Sequence, residues 1–184
     1  MTRAWAVIVA AVVLLWIPAA AVYAQTAERP ALAGAGSGVH WRAASEKELA
    51  GIIPERAPVI SERIETELRT ASGVVDGRGH AIAAAVLITA GYSANGKYSI
   101  FLTTQVPLLI DGHAISAGRY LLGWTPGQDA LAVTVSEAMT GKAIMKVDAK
   151  RSAAIHRVEP VHVWVPGEHS VIQLGRFVIP YSVE

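Results

Sequence analysis

Hydrophobic residues are concentrated at the start of the chain. Of residues 1–24, 21 are apolar, and the only charge in this stretch is Arg3. A short basic start, an apolar run and small residues before Ala24 are typical of a secretory signal peptide cut after Ala24. The alternative is an uncleaved membrane anchor formed by residues 4–24, because the run approaches the length that spans a bilayer.

Residues 25–44 follow as an Ala- and Gly-rich stretch without periodicity, which predicts a flexible leader. The next part, residues 45–72, has helical signals. Ser45 and Glu48 have the spacing of a capping box, which predicts a short helix that stops near Gly51.

A second helix is predicted from about Pro58 to Thr70. Ile60, Ile64 and Leu68 recur every four residues, and charged residues occupy most positions between them. We expect this helix to pack across one side of the domain through its apolar stripe.

Residues 73–184 change to short β-prone runs separated by turn residues. Asn95-Gly96 and Asp111-Gly112 are typical of tight hairpins, because these residue types tolerate positive φ. The run from Ala81 to Ala90 is apolar at both odd and even positions, which indicates a strand buried on both faces. The other predicted strands are Tyr98–Val106, Leu108–Ile110, His113–Ile115, Arg119–Trp124, Leu131–Val135, Ala143–Val147, Val161–Val165, Val171–Leu174 and Phe177–Val183.

Closely spaced strands without intervening helices predict a mainly β fold. The expected architecture is an antiparallel β-sandwich or flattened barrel of about eight strands, preceded by one or two short α-helices. The β domain would cover residues 73–184, with residues 45–72 packed on it.

One hairpin resembles a recurrent element of secreted bacterial β-domains. In those domains a Gly turn and an aliphatic residue precede Ala-Gly-x-Tyr, which leads into a strand. The matching residues lie within Leu109–Val135 and are Gly112, Ile115, Ala117, Gly118 and Tyr120. The resemblance implies a β architecture and names no activity.

Composition narrows the class of protein further. The chain is 52% hydrophobic and 17% charged, which excludes a disordered chain. It has no cysteine, which excludes disulfides, thiolate metal sites and a lipoprotein anchor. Basic and acidic residues number 16 and 15, so the chain lacks the positive charge of a nucleic-acid binder.

Candidate metal ligands gather near the end of the chain. Imidazole and carboxylate groups within a short span suit a transition metal, and they occur at His156, Glu159, His162 and His169. Their spacing fits neither a His-Glu-x-x-His helix nor a His-x-His strand. The alternative is that they are surface and turn histidines.

Candidate ligand-binding residues are the aromatics of the predicted strands. Trp164 and His162 share one strand face, opposite Val163, and Trp124 lies on an earlier strand. An exposed tryptophan on a sheet suits a saccharide or a protein partner. The alternative is that the Ile60/Ile64/Leu68 helix covers Trp164.

A basic cluster occupies the late strands. Its members could attract an acidic glycan or lipid headgroups, or could be a solvated sheet face. They are Lys142, Lys146, Lys150, Arg151 and Arg157.

No nucleophile elbow of the Gly-x-Ser-x-Gly type occurs, and no catalytic residue is predicted. The favoured function is therefore an exported, periplasmic or secreted, non-enzymatic binding or structural module of the bacterial cell envelope. It would use no cofactor, would bind a glycan or an envelope protein, and would meet the membrane only through an uncleaved signal segment. The alternative function is a secreted metal-assisted hydrolase that uses His156, Glu159, His162 and His169.

Overall fold

The computed structural model describes residues 39–60, 62–88, 96–167 and 170–184, which form twelve strands and one helix. In chain order the elements are β1 (Trp41–Ala43), α1 (Glu46–Ile52), β2 (Glu65–Asp76), β3 (Ala81–Ile88), β4 (Ile100–Thr104), β5 (Leu108–Ile110), β6 (His113–Ile115), β7 (Gly118–Pro126), β8 (Ala130–Glu137), β9 (Ala143–Arg151), β10 (Glu159–Val163), β11 (Val171–Gly175) and β12 (Phe177–Val183). The predicted signal segment and Asn95 lie outside the described residues.

The strands form one antiparallel sheet that curls into a half-barrel. Its order is β1-β2-β3-β4-β7-β8-β9-β12-β11-β10, and the β5–β6 hairpin is attached to β12. The predicted fold class, mainly β with a flattened barrel and a short helix, is confirmed.

Hydrophobic cores cover both faces of the sheet. The larger core lies on the concave face, where side chains such as Ile82, Leu102 and Leu122 meet residues from both halves of the sheet. The smaller core lies on the convex face, where α1, residues 53–59 and Ile64 cover strands β3, β4 and β7. Strand β3 is therefore buried on both faces, which confirms the prediction from its continuous apolar run.

Helix α1 begins with the predicted capping box. The Ser45 side chain accepts a hydrogen bond from the Glu48 amide, and the Glu48 carboxylate accepts one from the Ser45 amide. Leu49 is buried against the sheet. Arg42 of β1 is also bound to the Glu48 carboxylate, at 2.6 Å. This ion pair and the Ser45 donors hold the pKa of Glu48 well below its usual range.

The second predicted helix, from Pro58 to Thr70, is wrong. Residues 62–64 are not helical, and β2 begins at Glu65. Ile64 is buried in the convex core, whereas Ile60 and Leu68 are 77% and 38% exposed. Buried Ile64 and Thr66 alternate with charged residues, and this pattern also fits a strand. Pairing with β3 stabilises the strand over the predicted helix.

The predicted leader is also shorter than expected. Trp41–Ala43, inside the expected leader of residues 25–44, form β1 and pair with Val74–Asp76 of β2. Trp41 packs against the concave core, so this strand is an ordered edge of the sheet. Residues 25–38 lie outside the described residues.

The Asp111-Gly112 hairpin forms as predicted between β5 and β6. Both turn residues have positive φ, at 48° and 80°, as a type I′ turn requires. Tyr120 then points into the concave core, and its hydroxyl donates to the Ser116 carbonyl at 2.7 Å. Gly118 allows the close approach of that ring, since an added Cβ would lie 3.1 Å from the Tyr120 hydroxyl.

Candidate ligand site at the seam between β2 and β10

Strand β2 leaves its ladder with β3 in the middle. Glu67 pairs with Val86 and the next pair is Ser72 with Ala84, so residues 68–71 bulge outward. At the bulge the Thr70 hydroxyl makes hydrogen bonds to the backbone. It accepts from the Val86 amide at 2.9 Å and donates to the Glu67 carbonyl at 2.7 Å. Ser72 resumes the ladder with β3 directly after the bulge.

Strand β10, the last strand of the sheet, packs against β2 at this bulge. Within the described residues no backbone ladder joins the two strands, and a side chain bridges them instead. The Ser72 hydroxyl accepts from the Val163 amide at 3.0 Å and lies 3.3 Å from Nδ1 of His162. We call this contact line the seam.

The same hydroxyl contacts His162. A hydroxyl has one donor and two acceptor positions, so the Ser72 oxygen can accept from Val163 and also donate its proton to Nδ1 of a neutral His162. Burial lowers the pKa of His162; Glu159 acts in the opposite direction and Arg157 reinforces the effect of burial. Together, burial and Arg157 favour the neutral imidazole.

Trp164 lies directly after β10 and is fixed on three sides. Its backbone amide donates to the Val171 carbonyl, and its carbonyl accepts from the Tyr181 hydroxyl. Its indole N–H donates to the amide oxygen of Gln173 at 3.1 Å, and 37% of the residue remains exposed. The ring also makes an edge-to-face contact with His162, with centroids 5.2 Å apart.

The partners of Trp164 are themselves held in place. Gln173 is 1% exposed, and its amide nitrogen donates to the carbonyls of Arg157 and Gly175, both at 2.8 Å. Burial raises the pKa of Tyr181, so its hydroxyl stays a donor throughout the physiological range. The tryptophan is thus presented in one orientation.

A groove of about 360 Å³ runs along the seam beside this tryptophan. Helix α1 contributes Glu46 and Leu49, β2 contributes residues 69–73, and β10 contributes residues 159–163. Trp164 does not itself line the groove, but its ring contacts His162, which does.

The predicted ligand-binding residues separate into two places. His162 and Trp164 lie together, as the alternation along their strand predicts. Trp124 lies on β7, whose sheet neighbours are β4 and β8, and it packs partly buried against the concave core. The predicted helix that would cover Trp164 does not form.

The predicted metal ligands are tested only in part. Glu159 is bound to Arg157 at 2.6 Å, and His162 contacts Ser72 and Trp164. No group of three histidine, aspartate or glutamate side chains suited to a metal occurs in the described ranges. His169 lies outside those ranges, so the four-residue site with His156 stays a prediction.

Ser72 is the site residue that sequence reasoning missed. The sequence places Ser72 beside Gly73, at the end of the helix that it wrongly predicts there. A Cβ at Gly73 would lie 2.7 Å from the Ile82 carbonyl and 2.9 Å from the Leu49 side chain. Glycine beside Ser72 therefore allows α1 to pack closely on β2 and β3. This role of the Ser-Gly pair can be recognised only when the positions of the strands are known.

A larger cavity of about 590 Å³ lies on the other side of α1, near Asp76. The Asp76 carboxylate accepts from the amides of Arg78 and His80 and from Nδ1 of His80 at 2.9 Å. Burial would raise the pKa of Asp76, but these hydrogen bonds outweigh it and lower the pKa. This carboxylate is fully used in closing the β2–β3 turn, so the seam is the better candidate site.

Comparison with known proteins adds no relative: no protein-family model, curated protein or solved structure matches the chain. Across residues 39–184, in the parts that the structure describes, no helix is long and apolar enough to cross a bilayer.

Proposed function

We propose that the protein is an exported, non-enzymatic binding module of the bacterial cell envelope that binds a saccharide at Trp164. The observation that carries this proposal is the fixed, partly exposed indole, which contacts His162 in the wall of the seam groove. A saccharide ring stacks its C–H face on such an indole, and the neighbouring polar groups orient its hydroxyls.

The fixed orientation supports a binding role. A side chain that is already ordered loses little conformational entropy when a ligand arrives, so more of the contact energy becomes affinity. The hydrogen bonds to Val171, Tyr181 and Gln173 supply that order before the ligand is present.

The polar groups at the seam favour binding over hydrolysis. Ser72 and His162 resemble a nucleophile and a base, but a triad also needs a carboxylate that orients the imidazole. Among the hydrogen bonds of the described residues, none joins His162 to a carboxylate. Glu159, the nearest acid along β10, is bound to Arg157.

Export is part of the proposal and is supported by residues 1–24 alone, through their apolar run behind Arg3. N-terminal sequencing of the protein recovered from the cell envelope is the test. A sequence that starts at Gln25 supports cleavage, and a retained Met1 would mean that residues 4–24 anchor the protein.

Isothermal titration with N-acetylglucosamine oligomers and solubilised peptidoglycan tests saccharide binding. We expect Trp164→Ala to weaken binding by about tenfold or more, since a buried aromatic contact dominates such sites. Trp164→Phe should retain part of the affinity, and Met139→Ala, at an exposed residue on another surface, should retain all of it. Absence of binding to every probe, or equal binding by Trp164→Ala, would overturn the proposal.

A further inference from the structure

Two exposed apolar residues are joined by a backbone hydrogen bond at the segment that covers the convex core. Ile60 belongs to the segment that covers the convex core, and Met139 lies in the turn between β8 and β9. The Ile60 amide donates to the Met139 carbonyl at 3.1 Å, so the two segments are joined at this point. The residues are 77% and 55% exposed, and Ile144, which follows the same turn, is 47% exposed.

Their neighbours in the fold show why these side chains point outward. Val59, next to Ile60, and Ala138, next to Met139, are both buried in the convex core. The backbone positions of Ile60 and Met139 are therefore held by the buried residues next to them. We call Ile60, Met139 and Ile144 the apolar tip.

Basic residues outnumber acidic ones in the segments next to Ile60 and Met139. Arg63 and Lys142 lie three residues from Ile60 and Met139, and the carbonyl of Arg119 accepts from the amide of Ala138. All three cations are exposed. Two acids lie two residues from the same positions: Glu62 is bound to Lys97 at 2.9 Å, and Glu137 accepts from the Thr140 hydroxyl at 2.6 Å. These groups together leave an excess of two positive charges.

We infer that the apolar tip and its neighbouring cations dock the protein on an anionic lipid bilayer. Apolar side chains enter the boundary between headgroups and acyl chains, while arginine and lysine bind the anionic headgroups around them. Each such cation strengthens binding to an anionic surface by about fivefold. This surface is separate from the seam, so the inference does not depend on saccharide binding.

Charge argues against a second copy of the chain as the occupant. A symmetric dimer would place the same patch, with its net positive charge, on both partners. Like charges brought together in an interface oppose association, whereas anionic headgroups complement them.

The absence of native cysteine allows a direct test. Ile60→Cys carries an environment-sensitive fluorophore at the apolar tip, and Ile88→Cys, at a 52% exposed position on β3, carries it elsewhere. The full chain is used for both, so residues 1–38 contribute equally. With vesicles of phosphatidylglycerol and phosphatidylethanolamine we expect a blue shift and higher intensity at position 60 and little change at position 88. Equal responses at both positions, or no response at position 60, would overturn the inference.

Vesicle co-sedimentation then tests the charges. Arg119→Glu with Lys142→Glu should weaken binding to the anionic vesicles by more than tenfold, because two attractive charges become repulsive. Lys150→Glu, a single reversal farther along β9, and Trp164→Ala serve as controls and should bind nearly as the unchanged protein does. Equal binding to pure phosphatidylcholine vesicles would contradict the role of charge. Dimerisation without lipid that Ile60→Ser abolishes, with no vesicle binding, would assign the surface to a second copy.

Discussion

The Ser72 hydroxyl accepts a hydrogen bond from the amide of Val163, 91 residues later in the chain, at 3.0 Å. This contact joins the two ends of the curled sheet where no backbone ladder does so within the described residues. It also places His162 and Trp164 beside the bulge of β2. The proposed saccharide site thus depends on a side-chain closure of the half-barrel.

Removal of that hydroxyl should loosen the closure. We expect Ser72→Ala to lower the free energy of unfolding by about 1 kcal/mol, because the Val163 amide loses its acceptor. Denaturant titration measures the loss, and Ser72→Thr should restore most of it by keeping a hydroxyl. Equal stability of Ser72→Ala and the unchanged protein would mean that water replaces the hydroxyl without cost.

Protonation of His162 should oppose folding. Because burial lowers its pKa in the folded protein, the unfolded chain binds the proton more readily. The contribution of neutral His162 is fully present above the unfolded pKa of about 6.5 and is lost as the pH falls through that value towards the lower folded pKa.

The unfolding free energy of the unchanged protein should therefore begin to fall as the pH drops below about 7. His162→Gln should reduce that slope, and the same substitution at the exposed His113 should leave it unchanged. Chemical denaturation at a series of pH values measures both slopes. A steeper slope in His162→Gln would reverse the assigned sign.

The bulge of β2 should depend on the hydroxyl of Thr70. Thr70→Val keeps the shape of the side chain but leaves the Val86 amide without an acceptor, and we expect a loss of about 1 to 2 kcal/mol. Thr70→Ser should retain most of the stability. Amide hydrogen exchange at Val86 is the local measurement, and unchanged protection in Thr70→Val would contradict this role.

Two glycines should respond oppositely to alanine. A Cβ at Gly123 would lie 2.0 Å from the carbonyl oxygen of Gly96, so Gly123→Ala should cost about 3 kcal/mol or more. A Cβ at Gly51, inside α1, would meet nothing within 4 Å, so Gly51→Ala should stabilise by about 0.5 kcal/mol. Thermal melts compare the two, and equal effects would contradict the close approach at Gly123.

The strands after residue 80 could be predicted because their signals are local. A continuous apolar run, strict alternation, or an Asp-Gly turn each occupies fewer than a dozen residues, and β3, β5, β6 and β8 follow from them. The pairing of His162 with Trp164 also follows from alternation alone. The helix predicted at residues 58–70 was wrong because residues spaced by four lie on one face of a strand as well as on one face of a helix.

The seam could not be predicted from sequence because it forms between strands that are far apart in the chain. Ser72 becomes a site residue only when the sheet curls far enough for β10 to reach β2. That curl depends on the packing of the concave core by residues from nearly every strand. The same limit applies to the apolar tip, where a hydrogen bond joins Ile60 to Met139 across 79 residues of sequence.

The most direct test of the saccharide site is an NMR titration that follows the indole N–H signals. The signal of Trp164 is identified by its loss in Trp164→Phe, and solubilised peptidoglycan is then added to the unchanged protein. We expect a saturable shift of the Trp164 indole together with the amides of Val163 and Ser72, while the Trp124 indole stays in place. Shifts confined to Trp124 or to residues away from the seam, or no shift at all, would contradict a saccharide site at Trp164.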